Sequence, residues 1–269
     1  MGTIIIASIS VTVIGIIIAV ILSIASKLMA VETDERVTKI LQALPGSNCG
    51  ACGFPGCSGY AQALISSQGL KSNLCTPGGA LASEQISAIL GVKVEKVARK
   101  YAVVRCKGDS FTQLKKMNYK GIQSCKAAKQ LYSGEGACAF GCLGYGDCKI
   151  ICPSNAVCIE NGLAHINTKN CTGCGLCVKA CPNNIITIEN AGTSVFVLCN
   201  NIEKGALVRK KCSNGCIGCG ICVKGCPTGA IVIEDNLAKI DYEKCNNCSK
   251  CAEICVTKSI HSVIRLSTK

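Results

Sequence analysis

The sequence predicts a mixed α+β chain with an apolar helix at its start, a small glycine-rich cysteine domain, and a cysteine-rich body built twice. Three observations predict this. The first 26 residues carry no charged side chain, cysteine supplies 25 of the 269 residues, and the cysteines of 142–181 recur at 216–255 after a shift of 74. Aromatic residues make up only 4% and tryptophan is absent, so apolar burial alone gives a weak core. Cysteine at this density points to disulfides, zinc or iron–sulfur clusters, and spacing separates the three.

Residues 1–26 are predicted to form one transmembrane helix. Thr3 to Ala25 is a nearly continuous Ile/Val/Ala/Ser run, close to the roughly 20 residues that cross a bilayer. A cleaved signal peptide needs a basic start and a shorter apolar run, and of the two places for a helix apolar all round, a core or a membrane, the membrane is favoured. Lys27, Arg36 and Lys39 follow the run and nothing basic precedes it, so the positive-inside rule places the body on the cytoplasmic side of the cell membrane. That reducing compartment favours thiolate ligands over disulfides.

Residues 27–45 read as a helical stalk, with Val31, Val37, Ile40, Leu41 and Leu44 on one face and Pro45-Gly46 as the stop. Residues 46–92 form a membrane-proximal domain. Cys49-x2-Cys52-x4-Cys57 lies in the glycine-rich loop Gly46–Gly59, and Cys75 returns before Pro77-Gly78-Gly79. Glycines let backbone wrap a cluster closely and aim N–H groups at its sulfurs. A short helix is expected at Ser83–Leu90, with Ser83 as N-cap and Gly91 as stop. Residues 93–132 read as a basic connector with a strand at Tyr101–Arg105.

Residues 133–192 and 193–269 are the two copies. The shift of 74 carries Cys142, Cys148, Cys152, Cys171, Cys174, Cys177 and Cys181 onto Cys216, Cys222, Cys226, Cys245, Cys248, Cys251 and Cys255. It also carries Cys125 onto Cys199 and Cys138 onto Cys212. Each copy has a predicted hairpin in its middle: Ala156–Ile159 and Leu163–Ile166 around Asn161-Gly162, then Ala230–Ile233 and Leu237–Ile240 around Asp235-Asn236.

The run Cys216-x2-Cys219-x2-Cys222-x3-Cys226-Pro227, with Cys245-x2-Cys248-x2-Cys251-x3-Cys255, matches the bacterial dicluster ferredoxin pattern. Three close thiolates fit three corners of a cubane, and the fourth cysteine of each run serves the other cluster. Cys216, Cys219, Cys222 and Cys255 are therefore expected to hold one 4Fe-4S cluster, and Cys245, Cys248, Cys251 and Cys226 its neighbour. Zinc would need four ligands in paired knuckles instead. In the first copy Cys171, Cys174 and Cys177 take Cys152 as their fourth ligand. Its partner run has Tyr145 where the second copy has Cys219. Cys138 is expected to fill that corner, giving Cys138, Cys142, Cys148 and Cys181, with a three-iron cluster the outcome if it falls short. With Cys49, Cys52, Cys57 and Cys75, this makes five clusters.

Cys106, Cys125, Cys158, Cys199 and Cys212 are left over. They read as buried thiols, with pairs Cys106/Cys125 and Cys199/Cys212, or a sixth cluster from those four, as the sharper reading. His165 and His261 are isolated and read as structural. No catalytic triad or dinucleotide fingerprint is present. The formal charge of +13 suggests an acidic partner, but a 4Fe-4S core with four thiolates carries about 2−, so five clusters offset about ten of those units. With no clustered stacking aromatics and no basic helix face, nucleic acid has little support.

The stretch Leu44-Pro-Gly-Ser-Asn-Cys-Gly-Ala-Cys-Gly-Phe-Pro-Gly-Cys57, after an apolar helix and before dicluster runs, resembles the B subunit of Rnf ion-translocating oxidoreductases over essentially the whole chain. Two departures are Val256, where proline usually follows the last ligand, and Tyr145 at a ligand position. The resemblance implies an electron-transferring subunit that takes electrons from reduced ferredoxin and relays them to membrane partners. They are used for NAD reduction coupled to Na+ or H+ export. The competing readings are a membrane-bound redox partner of a sensor, without pumping, and an interaction module merely stapled by clusters.

Overall fold

The computed structural model describes residues 2–28, 34–67, 69–93 and 99–262. The first element, α1, covers Gly2–Leu28, a 27-residue helix. Its described side chains run unbroken only from Thr12 to Ala25; those at 3–5, 7, 8, 10, 11 and 26–28 lie outside the description. Among the described residues, no helix is long and apolar enough to cross a membrane.

The second helix, within the expected stalk, packs on the two helices that follow it. Helix α2 (Glu35–Ala43) starts where the Asp34 carboxylate accepts the Arg36 N–H at 2.9 Å, and ends before Pro45. It covers the later part of the expected stalk, and residues 29–33 lie outside the description. Ile40 and Leu44 are buried against Tyr60, Ala61 and Leu64 of α3 (Gly56–Ser66) and Ile86 of α4 (Gly79–Leu90). Gly91 closes α4 at φ 67°, as expected of a left-handed stop. Ser83 is not its N-cap. The chain turns helical directly after Cys75, with the Gly79 N–H bonded to the Cys75 and Thr76 carbonyls at 3.2 Å each, and Ser83 lies buried inside the helix.

The first copy runs β1 (Lys100–Val104), α5 (Cys125–Gln130), α6 (Asp147–Ile150), β2 (Val157–Glu160), β3 (Leu163–Ile166), α7 (Leu176–Ala180) and β4 (Ile186–Asn190). The second runs β5 (Val195–Val197), α8 (Gly205–Lys211), α9 (Ile221–Lys224), β6 (Ile231–Glu234), β7 (Leu237–Ile240), α10 (Lys250–Ile254) and β8 (Ile260–Ser262). β2–β3 and β6–β7 are the two expected hairpins, and their turns need positive φ: 49° at Asn161, 72° at Gly162, 50° at Asp235 and 60° at Asn236. The cysteine loop of each copy packs onto its own hairpin turn. A Cβ at Gly144 would lie 2.6 Å from the Gly162 carbonyl oxygen, and one at Gly218 would lie 2.6 Å from that of Asn236. Side chains are excluded at both equivalent positions.

A strand entering each copy pairs with the strand leaving it. β1 runs antiparallel to β4, with Val104 opposite Ile186, and β5 runs antiparallel to β8, with Val197 opposite Ile260. The expected connector therefore contributes a strand to the first copy's sheet. It also joins the copies. Tyr101 on β1 meets Phe196 on β5 edge-on at 6.3 Å, and Phe196 meets Tyr242 at 6.1 Å. Beyond β1, the Ser213 N–H donates to the Thr112 carbonyl and the Leu114 N–H to the Lys211 carbonyl, each at 3.0 Å.

Phe196 is fully buried at this seam. Phe196→Ala is expected to lower unfolding free energy by about 3–5 kcal/mol. Tyr101→Phe, which keeps the ring and loses only the 2.6 Å hydroxyl bond to the Thr193 carbonyl, is expected to cost about 1 kcal/mol. Denaturant unfolding followed by circular dichroism checks both; equal losses would mean that the ring contact contributes nothing.

Candidate cluster-binding sites

All 25 cysteines are free thiols. Most gather in fours. Cys49, Cys52, Cys57 and Cys75 line a cavity of about 290 Å³ with Leu44, Pro45 and Tyr60. Helix α3 places Cys57 in its first turn, and Asn48, at φ 46°, accepts the Cys57 N–H through its side-chain oxygen at 2.8 Å. Burial, then the charges of Cys57, Cys52 and Cys49, raise the Cys75 thiol pKa, partly countered by the Gly78 N–H. Tyr60 fastens the return of the loop, donating to the Lys71 carbonyl at 2.8 Å and accepting the Leu74 N–H at 3.3 Å.

Cys152, Cys171, Cys174 and Cys177 line a cavity of about 310 Å³, as their spacing implies. Backbone N–H groups donate to the sulfurs: Ala102 of β1 to Cys171 and Ala156 to Cys152, both at 3.4 Å. Burial first, then the other three thiols, push Cys177 to about 12. In the second copy Cys226, Cys245, Cys248 and Cys251 line about 300 Å³. Cys216, Cys219 and Cys255 stand close enough to Cys222 to join burial in raising its thiol to about 11. Hydroxyls lie near the fourth cysteines: Ser154 at 3.6 Å from Cys152, Thr228 at 3.6 Å from Cys226, and Ser259 at 3.4 Å from Cys255. Cys219 and Cys248 are exposed; the first copy's gathered cysteines are not.

One set differs from expectation. The cavity of about 330 Å³ that holds Cys142, Cys148 and Cys181 takes Cys125, not Cys138, as its fourth thiol. Asp147, beside Cys148, explains the exchange. Its carboxylate accepts the N–H groups of Cys125 at 2.9 Å and Lys126 at 3.0 Å and the Ser124 hydroxyl at 3.0 Å, capping α5 so that Cys125 faces the cavity. Burial pushes the Asp147 carboxyl up, but these bonds outweigh it and hold the pKa below its ordinary value. Burial, followed by Cys142, Cys125, Cys181 and Cys177, raises the Cys148 thiol to about 12. Cys138 lies elsewhere, beside Asn201. No local pattern announces Cys125; the only sequence signal is the vacancy that Tyr145 creates, and Tyr145 itself meets Tyr119 edge-on at 5.5 Å. Cys158 sits exposed on β2 near the Glu160 carboxylate.

The donor chemistry fits 4Fe-4S clusters. Thiols gather in fours at the spacing of dicluster runs and some receive backbone N–H bonds, whereas a single zinc is held by four ligands in paired knuckles. Among the described residues no three His, Cys, Asp or Glu side chains form such a single-ion group. Burial raises the thiol pKa of Cys75, Cys142, Cys148, Cys177, Cys222 and Cys251, so loading expels a proton from each of these.

A family model described as a putative Fe-S cluster matches residues 44–77, and two 4Fe-4S dicluster models match 170–231 and 215–259. The chain is 42% identical over 267 residues to the B subunit of the proton-translocating ferredoxin:NAD(+) oxidoreductase complex of Clostridium ljungdahlii, covering 98% of this chain and 94% of the relative. It is 39% identical to the B subunit of the Na(+)-translocating complex of Acetobacterium woodii, covering 90% and 72%. It is also 39% identical to the B subunit of the ion-translocating oxidoreductase complex of Methanosarcina acetivorans, covering 97% and 99%. Similarity of this extent, together with thiols gathered in fours, establishes that the chain belongs to the family of B subunits of ion-translocating ferredoxin:NAD(+) oxidoreductase complexes.

Proposed function

We propose that the chain receives electrons from reduced ferredoxin at its second copy and passes them toward membrane subunits for NAD reduction coupled to Na+ or H+ export. The observation that carries this reading is the gathering of thiols in fours, with neighbouring sets joined through short segments. Cys148 and Cys152 belong to adjacent sets but are separated by only four residues, as are Cys177 and Cys181. Clusters bound there supply reversible one-electron chemistry. The chain's residues fix spacing, exclude water and aim N–H groups at sulfur, which raises potentials. The sets carrying this assignment are Cys49/Cys52/Cys57/Cys75, Cys125/Cys142/Cys148/Cys181, Cys152/Cys171/Cys174/Cys177, Cys216/Cys219/Cys222/Cys255 and Cys226/Cys245/Cys248/Cys251.

We place α1 in the bilayer as a single anchor. Its 27 residues reach about 40 Å at roughly 1.5 Å per residue, and Ile14, Ile16, Ile17, Ile18, Val20, Ile21, Leu22 and Ile24 are all exposed. Lys27, Arg36 and Lys39 favour a cytoplasmic body. The relatives from Clostridium ljungdahlii and Acetobacterium woodii, at 42% and 39% identity, are named for complexes that move different ions, which supports ion choice residing in partner subunits. Arg209 and Lys210 in the last turn of α8 suit an acidic electron donor.

Cys125→Ala is expected to remove up to four iron atoms per chain, or leave a three-iron EPR signal, in anaerobically purified protein. Asp147→Ala should weaken the same set, and Asp147→Asn should restore part of it. Unchanged iron in Cys125→Ala would return Cys138 to that corner. Ferredoxin oxidation by the complex is expected to slow several-fold as salt rises from low to physiological strength; a rate indifferent to salt would overturn the docking picture. Redox titration separates the relay from a stapled interaction module, since only the relay requires reversible reduction at low potential.

A further inference from the structure

Four cysteines that the five sets do not use meet at the junction of the two copies. Cys106, Cys138, Cys199 and Cys212 line one cavity of about 340 Å³, with Lys107, Gln113, Asn201 and Asn214 among its walls. Its volume matches the four thiol-lined cavities already described, which range from about 290 to about 330 Å³. We propose that this cavity binds a sixth 4Fe-4S cluster, through Cys106, Cys138, Cys199 and Cys212, and that it bridges the two copies.

The wall carries the features of the other sites. Cys138, Cys199 and Cys212 are buried and Cys106 is half-buried. Two of the four sulfurs accept hydrogen bonds. Cys106 accepts the Cys142 N–H at 3.3 Å and the Gly108 N–H at 3.4 Å, and Cys138 accepts the Asn201 amide at 3.4 Å. Such donors stabilise thiolates in a cluster; neutral packing thiols do not need them. Small residues keep the cavity open: a Cβ at Gly108 would stand 3.3 Å from the Cys212 sulfur, and one at Gly141 would stand 3.6 Å from that of Cys106.

The repeat explains why these four are spare. Cys199 corresponds to Cys125 and Cys212 to Cys138. In the first copy Cys125 fills the corner that Tyr145 leaves empty; in the second Cys219 fills it, which frees Cys199. Cys106 and Cys199 each follow their strand, β1 or β5, by two residues. Two cysteines thus come from each side of the seam. The site also touches a set in each copy, since the N–H of Cys142 bonds Cys106 and Cys199 lies in the same buried cluster as Cys216.

The bridging role rests on the relay reading; metal occupancy does not, because iron content needs no electron donor. Iron and sulfide analysis of the anaerobically purified full-length chain is expected to give about 24 iron atoms, six cubanes. Cys125→Ala and Cys138→Ala should each lose up to four, and the double variant the sum of the two single losses, while Cys158→Ala loses none. Losses that fail to add would place both cysteines at one site and overturn the proposal. Cryo-electron microscopy of the wild-type complex guards against misfolded variants. Cubane density between the four sulfurs supports the site; zinc, a disulfide or no density there overturns it. Loss of the sixth site's iron with unchanged ferredoxin oxidation would overturn the bridge and leave the site standing.

Discussion

The constraint on which the rest depends is that sulfurs must be held apart, in fours, around a cluster-sized space. Each copy's apolar core is assembled around that requirement: Cys216, Cys222 and Cys251 lie inside the core of Val195, Val197, Ile231, Leu237 and Ile260, and Cys148 and Cys177 lie inside that of Ala102, Val157, Leu163, Ile185 and Ile186. The helices there are only four or five residues long. Helices so short have no independent stability, so their place is set by the thiols they carry and the hairpins they lean on. Metal–sulfur bonds therefore substitute for the large aromatic core that the composition lacks.

The charge pattern follows from the same requirement. Six cubanes would carry about 12 negative units, nearly matching the formal +13 of the chain. Partly buried ion pairs are few among the described residues, Arg105–Glu189 at 2.8 Å and Lys211–Glu203 at 2.5 Å being two. Much of the basic excess is thereby available to balance clusters.

Much of this is legible in the sequence, because ferredoxin-type runs fix ligand geometry locally and the shift of 74 reveals the duplication. The hairpins are legible too, since Asn161-Gly162 and Asp235-Asn236 are turn residues between alternating apolar runs. What escapes a reading of the sequence is non-local. Cys125 reaches its cavity only because Asp147, 22 residues later, caps α5, whereas spacing alone assigns that corner to Cys138. The connector and stalk look like separate segments for a similar reason: the pairing of β1 with β4 and the packing of α2 on α4 join stretches far apart in sequence. Ser83 resembles a helix start because hydroxyl residues often are, but the glycine turn after Cys75 has already begun the helix.

The exposure of Cys219 and Cys248 has a price. Electron tunnelling decays steeply with distance, so a soluble donor needs some cofactor edge close to water, and the second copy provides two such edges while the first provides none. The opening that admits a reducing protein also admits dioxygen. Damage in air should therefore begin at the C-terminal end and advance inward, severing intake before it touches the better-sheltered interior.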